Sequence, residues 1–316
     1  MTTTLITTPT FGRFSDEPWR VLERAGTAAV RPYDDRALPG AELLERAGDA
    51  DALIVGLDPI SAEAMDAGPK LKVIAKHGVG VDNIDLDAAR ERGIRVVYAP
   101  GSNSRAVAEL TFGLILSATR KIGRAHTEVL DGGWPKLFGR ELAGSTLGII
   151  GFGRIGRLLA GYGRAFGMDV VAYDPYLAPE AFAEHGARGV GLDECVTGAD
   201  VLSLHLPAEP GAAPLLDRAR MESMRPGSCL VNAARGGLVD EAALADLLHS
   251  GHLGAAALDA FAVEPLGESP LRTAPNLVLT SHIGACSREA NRTMGVMVAE
   301  DVVRVLAGGD PRHEAT

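Results

Sequence analysis

At 316 residues, 46% hydrophobic and 23% charged, the chain has the length for two globular lobes and too much apolar content for a disordered one. Its formal net charge of −10, with no run of Lys or Arg, argues against a nucleic-acid surface. Three dispersed cysteines, Cys195, Cys229 and Cys286, fit neither a disulfide framework nor a zinc site. No metal is expected, and the thiols read as reduced in a cytoplasmic protein. The opening MTTTLITTPTFGRF has no basic leader with a long apolar core, and no apolar run approaches the ~20 residues of a membrane span.

In chain order, short apolar runs alternate with helical patterns. Leu5-Ile6 opens a strand, residues 16–25 read as a helix, and Ala52–Gly56, Lys72–Ala75 and Ile94–Val97 read as buried strands. This alternation suits a parallel sheet, so residues 1–100 form a first lobe, which carries no glycine-rich phosphate fingerprint of its own. Ser104 to about Lys121 is helical, capped by Asn103 or Ser104, and is expected to cross between lobes. Residues 124–145, with Gly132-Gly133-Trp134-Pro135 and Leu137-Phe138, are too irregular for a core element and too apolar for a bare linker, and are expected to pack on a second subunit.

A second series of strands follows at Thr146–Ile150, Asp169–Tyr173, Val201–His205, Cys229–Asn232, Ala255–Asp259 and Leu277–Thr280, enough for a complete doubly wound sheet. The helical pattern from about Arg288 to Leu306 is left over and returns to the first lobe, which makes the domain split discontinuous. The expectation is α/β with two Rossmann-like parallel-sheet lobes. Residues 101–285 form a nucleotide lobe inserted between residues 1–100 and 286–316 of a substrate lobe.

Gly151-Phe152-Gly153-Arg154-Ile155-Gly156 follows a strand and opens a helix, the context in which GxGxxG implies a dinucleotide. Gly151 permits the tight turn, Gly153 lets a pyrophosphate approach, Gly156 lets helix and strand pack, and the N–H groups of Arg154 and Ile155 open the helix's anion site. Asp174, ending the next strand, can accept hydrogen bonds from both ribose hydroxyls and repel a 2′-phosphate, which favours NAD over NADP. Arg235, Glu264 and His282 lie just beyond the ends of successive late strands, where doubly wound sheets bind ligands.

These runs, with KHGVGVDNID at 76–85, Tyr173-Asp174-Pro175-Tyr176, Leu204-His205-Leu206-Pro207, NAARGGLVDE, DxFxxEP and HIGA, resemble the D-isomer-specific 2-hydroxyacid dehydrogenases, in their phosphoglycerate dehydrogenase-like branch. The resemblance covers nearly the whole chain. It implies an NAD-dependent oxidoreductase that moves a hydride at C2 of a small anionic 2-hydroxy or 2-oxo acid, with homodimers usual and Arg235, Glu264 and His282 catalytic. It further implies a cofactor pocket lined by His205, Pro207, Ala233, Ala234, Asp259 and Gly284 as well as the glycine loop, Asp174, Arg235 and His282. Substrate contacts are implied for Lys76, Gly78, Val79, Gly80 and Asn103, together with Arg235 and His282.

Arg235 suits a carboxylate with an adjacent carbonyl because its guanidinium is a rigid donor fork. His282 suits proton delivery to the developing alkoxide, and Glu264, if bonded to the other ring nitrogen, fixes the ring and favours its charged form. Lys76 stands where phosphoglycerate-oxidising members generally carry Arg, and Gly56-Leu57-Asp58 supplies no Arg where those members place another phosphate ligand. That weakens a 3-phosphoglycerate assignment, while Lys76, able to bind a phosphate or phosphonate as a point charge, keeps a 3-phosphoglycerate-like or phosphonate-bearing 2-oxo acid open beside glyoxylate, hydroxypyruvate or phosphite chemistry. A different class, a non-enzymatic NAD(H)-sensing corepressor, shares the fold. With about 34 residues after His282, no appended regulatory domain is expected.

Overall fold

The computed structural model describes residues 2–30, 48–209 and 211–315. The chain divides into two compact units, Met1–Asn103 with Ala285–Thr316, and Ser104–Gly284.

In the first unit the described residues form strands β1 (Thr3–Ile6), β2 (Ala28–Val30), β3 (Ala52–Val55), β4 (Val73–Lys76) and β5 (Arg95–Val97). All pair in parallel, in the order β2-β1-β3-β4-β5. β3 and β4 are buried at every position, as parallel strands covered on both faces must be. The helix Arg288–Leu306, capped by the Ser287 hydroxyl accepting from Ala290 N, packs here against the helix Glu17–Arg24 and against β4. The chain order reverses between β1 and β3, which makes the C-terminal ends of those strands the sheet's switch point.

The second unit's strands are β6 (Thr146–Ile150), β7 (Asp169–Tyr173), β8 (Arg188–Gly189), β9 (Val201–Leu204), β10 (Cys229–Asn232), β11 (Ala255–Leu258) and β12 (Leu277–Leu279). Its sheet runs β12-β11-β10-β9-β6-β7-β8, again all parallel. Six were expected; β8 is a two-residue edge strand whose Arg-Gly sequence gives no apolar signal. The switch point lies between β6 and β9. The helix Ser104–Thr119, expected to cross between lobes, belongs to this unit and packs on the helix Arg154–Ala165 and on β10 and β11. Val107, Phe112, Leu114 and Ile115 are among its buried residues, and Thr111 turns its hydroxyl back onto Val107 O at 2.8 Å.

Overlapping the segment 124–145 read as irregular, Ile122–Leu130 forms a helix, which buries none of its residues. With Trp134 79% and Phe138 86% exposed, this stretch carries an apolar face that the described residues leave uncovered. No helix of the described residues is long and apolar enough to cross a membrane.

Candidate active site

The second unit's switch point is built by glycine. Gly151 follows β6 with a left-handed φ of +92°, and a Cβ there would overlap the carbonyl of His205, which follows β9. A Cβ on Gly156 would overlap Gly151 O, so the helix Arg154–Ala165 can start close to the strand only with glycine at that place. Gly153 is the opposite case, because a Cβ there meets nothing within 4 Å. It faces open space at a helix N-terminus whose N-cap makes no side-chain hydrogen bond, leaving the amides near Arg154 and Ile155 available to an anion. This cradle fits a pyrophosphate.

Asp174 lies beside it at the end of β7. Its Oδ2 accepts from Phe152 N at 2.9 Å and its Oδ1 from Tyr176 N at 3.0 Å, so it fixes the glycine loop while keeping further acceptor lone pairs. His205 is bonded through Nε2 to Ser203 Oγ at 2.8 Å, and its Nδ1 is buried with no hydrogen-bond partner. Burial pushes its imidazole down to about 4, so the ring is neutral near pH 7. Pro207 beyond it is exposed.

Three loops carry the polar residues beyond β10, β11 and β12. After β10, the buried Asn232 accepts from Ala234 N at 3.0 Å and donates to Arg235 O at 2.7 Å, folding Ala233, Ala234 and Arg235 into a tight half-buried turn. After β11, Glu264 Oε1 accepts from Phe261 N at 2.9 Å, and its two oxygens lie 3.0 and 2.8 Å from His282 Nδ1. A Cβ on Gly236 would overlap the Phe261 backbone carbonyl, so the Arg235 turn and the Glu264 loop are in contact. After β12, His282 adopts a left-handed φ of +55°, uncommon for a side chain of this size. The buried Asp259 holds this loop: its Oδ1 accepts from Thr280 Oγ1 at 2.6 Å and Ile283 N at 2.8 Å, and its Oδ2 from Gly284 N at 2.8 Å. Arg235, Glu264 and His282 thus sit on three mutually braced loops at one edge of one sheet.

Two bracing residues escaped the reading of the sequence. Glu241 Oε1 accepts from Ala262 N at 2.6 Å, and burial raises its carboxyl above the ordinary value. Asn232 looked like the last residue of a strand. The Glu241–Ala262 contact joins positions 21 apart, and no local pattern announces it.

In the first unit, Lys76 ends β4 and is buried, with Nζ 2.5 Å from Gly56 O and 2.6 Å from Asn83 Oδ1. His77 follows it, also buried, and burial pushes its ring down to about 4. Gly78, Val79 and Gly80 are half-buried in the loop beyond, with Ala99 N donating to Gly78 O at 2.9 Å. Asn103 immediately precedes the helix Ser104–Thr119.

Residues 112–284 match the family model described as D-isomer specific 2-hydroxyacid dehydrogenase, NAD binding domain. A D-3-phosphoglycerate dehydrogenase of Mycobacterium leprae is 46% identical over 270 residues, covering 84% of this chain and 51% of the relative. A hydroxypyruvate reductase of Thermotoga maritima is 40% identical over 271 residues, covering 84% of this chain and 88% of the relative. Among solved structures, the TT0316 protein of Thermus thermophilus superposes with a TM-score of 0.90 at 39% identity, over 99% of this chain and all of that one. The chain spans about half the length of the phosphoglycerate dehydrogenases it matches.

Proposed function

The chain belongs to the D-isomer specific 2-hydroxyacid dehydrogenase family, and from that premise we propose that it is an NAD-dependent oxidoreductase acting at C2 of a small anionic 2-hydroxy or 2-oxo acid. The observation that carries the reading is the His282 Nδ1–Glu264 pair, at 2.8 Å, on loops braced to the Arg235 turn. A lone histidine after a strand implies little; one whose ring is oriented by a carboxylate beside a guanidinium-bearing turn is an acid/base arrangement.

Bound NADH would supply the hydride. Gly151, Gly153 and Gly156, with the N–H groups of Arg154 and Ile155, would hold its pyrophosphate, and Asp174 its ribose. His205, Pro207, Ala233, Ala234, Asp259 and Gly284 would line the remainder of the pocket. Arg235 would clamp the substrate carboxylate and polarise the neighbouring carbonyl. The backbone N–H groups of Val79 and Gly80, with Asn103, would assist in holding the acid, as the family resemblance implies, while Gly78 N, also implied, donates to Lys76 O at 2.8 Å. With Nδ1 engaged by Glu264, Nε2 of His282 gives a proton to the C2 oxygen during reduction and takes one during oxidation. His205, its ring held neutral near pH 7 by burial, would help shape the cofactor pocket.

The exposed apolar residues of 122–138 support a homodimer in which this segment covers a second copy. Three cysteines outside any disulfide, two of them buried, suit a reducing cytoplasm. Sedimentation of the purified protein checks the dimer. The activity is checked by following NADH and NADPH oxidation against a series of 2-oxo acids. Turnover with NADH and weak turnover with NADPH is the expected result. Tight NADH binding with no turnover across the series would replace the enzyme with a sensor of NAD(H).

A further inference from the structure

Glu241 is the first residue of the helix Glu241–His249, whose N-cap is Asp240, its carboxylate accepting from Ala243 N at 3.0 Å. With the cap supplied by Asp240, the Glu241 side chain reaches away from its own helix to the loop after β11, where Oε1 accepts from Ala262 N at 2.6 Å. The preceding amide, Phe261 N, is held by Glu264 Oε1 at 2.9 Å, and Glu264 continues from there to His282 Nδ1. Two carboxylates thus grip two consecutive amides of one loop. The same peptide is in contact with the Arg235 turn, since a Cβ on Gly236 would lie 1.8 Å from Phe261 C and 2.1 Å from Ala262 N.

Burial and the nearby Glu264 charge raise the Glu241 carboxyl above its ordinary value, burial being the larger cause, while the Ala262 N–H opposes them. The helix N-terminus also favours an anion at this place. The cations on neighbouring elements are engaged elsewhere: Arg218 is bonded to Asp246, Arg272 donates to the carbonyls of Leu266 and Gly267, and Arg235 on the adjoining turn donates to Ala234 O. Glu241 and Glu264 therefore repel across the Phe261–Ala262 peptide, and a proton on the His282 ring relieves that repulsion. A neutral acceptor of the same shape at 241 would hold the loop without this effect.

We propose that Glu241 is a positioning residue for the reaction, acting in two ways: its carboxylate fixes the Ala262 amide and so the loop that carries Glu264, and its charge, set behind Glu264, favours the protonated form of His282. The inference rests on the acid/base reading of His282 given above. It assigns separate consequences to the reach of the side chain and to its charge, which two substitutions separate.

The test follows kcat/KM for 2-oxo acid reduction against pH and, in parallel, the 15N NMR titration of the His282 ring, whose signal is the one lost in His282→Ala. Glu241→Gln keeps an acceptor for Ala262 N and removes the charge. The alkaline limb of the rate profile and the ring titration are both expected to move to lower pH by roughly half a pH unit or more, with NADH Kd within about twofold of wild type. Glu241→Asp keeps the charge and shortens the reach, so its midpoints should stay at the wild-type pH while kcat falls by about three- to tenfold. A uniform loss of rate in Glu241→Gln with unmoved midpoints, or a shift to higher pH, overturns the proposal. Should Glu241→Gln fail to fold, Glu241→Asp decides, and midpoints displaced by roughly half a pH unit or more in that variant overturn it as well. A wild type without turnover on any acid would defeat the enzyme reading instead, and the ring titration would still test the coupling between Glu241 and His282.

Discussion

The two switch points both belong to all-parallel, doubly wound sheets and are left in opposite states. Beyond β6 and β9, glycine removes side chains: Gly151 and Gly156 bring backbones into contact, and Gly153 opens onto empty space at the head of a 12-residue helix. Beyond β1 and β3, side chains fill the equivalent place, with Thr7, Asp58, Lys76 and Asn83 bonded to one another and to the turn. The first arrangement presents unspent backbone donors to an anion. The second presents a polar surface whose donors are largely consumed. Topology alone therefore nominates a ligand site, and the hydrogen-bond inventory decides what chemistry it accepts.

The largest effect is expected from Gly236→Ala. Its Cβ would overlap the Phe261 carbonyl and push the Arg235 turn away from the Glu264 loop. Activity is expected to fall by about a thousandfold or the soluble yield to collapse, a destabilisation of roughly 4 kcal/mol or more. Wild-type turnover in soluble protein would show that the bracing between these loops is not required.

Next come two glycines that oppose the switch points directly. Gly153→Ala meets no protein atom, so Tm should stay within a degree or two while NADH affinity falls by roughly ten- to a hundredfold, because the Cβ occupies the approach of the pyrophosphate. Gly56→Ala should do the reverse, lowering Tm through the Thr8 contact and leaving NADH affinity unchanged. Calorimetry with each variant checks both, and a stability loss without an affinity loss in Gly153→Ala would erase the distinction.

A smaller effect follows from pH. Each unit buries one imidazole just beyond a strand, His77 after β4 and His205 after β9, and burial pushes both down to about 4. With an unfolded value near 6.5, the unfolded chain binds more protons between these limits. The stability held by each neutral ring is complete above about pH 6.5 and is lost as pH falls toward 4, on the order of 2 kcal/mol each by pH 5. His77→Gln should flatten the pH dependence of Tm between pH 7 and 5 relative to wild type, and an identical slope would show that His77 is not the group responsible.

Much of this architecture is legible in the amino-acid sequence because parallel strands buried on both faces are continuous apolar runs, as at Ala52–Val55 and Cys229–Asn232. Two edge strands, Ala28–Val30 and Arg188–Gly189, are too short and too exposed to carry that signature and are silent, whereas the edge strands Arg95–Val97 and Leu277–Leu279 keep a short apolar run that reads. Ile122–Leu130 is silent for a related reason, since a helix with nothing buried has no monomer core to pattern against. At the candidate site, the glycine loop is local and reads directly, and so do the residue types at 235, 264 and 282. The bracing by Glu241, Asn232 and Asp259 joins loops from different strands and emerges only when the sheet sets them side by side. Lys76 is similar: its sequence position allows a surface residue or a ligand, and folding spends its protons on Gly56 and Asn83.

On the proposed mechanism, His282, oriented by Glu264, transfers the proton while the glycine loop independently holds the cofactor. The most direct measurement is the turnover and NADH affinity of His282→Ala on the best 2-oxo acid found for the wild type. The expected outcome is a kcat lower by about a hundred- to ten-thousandfold with NADH Kd within about twofold of wild type. Turnover within tenfold of wild type would contradict it.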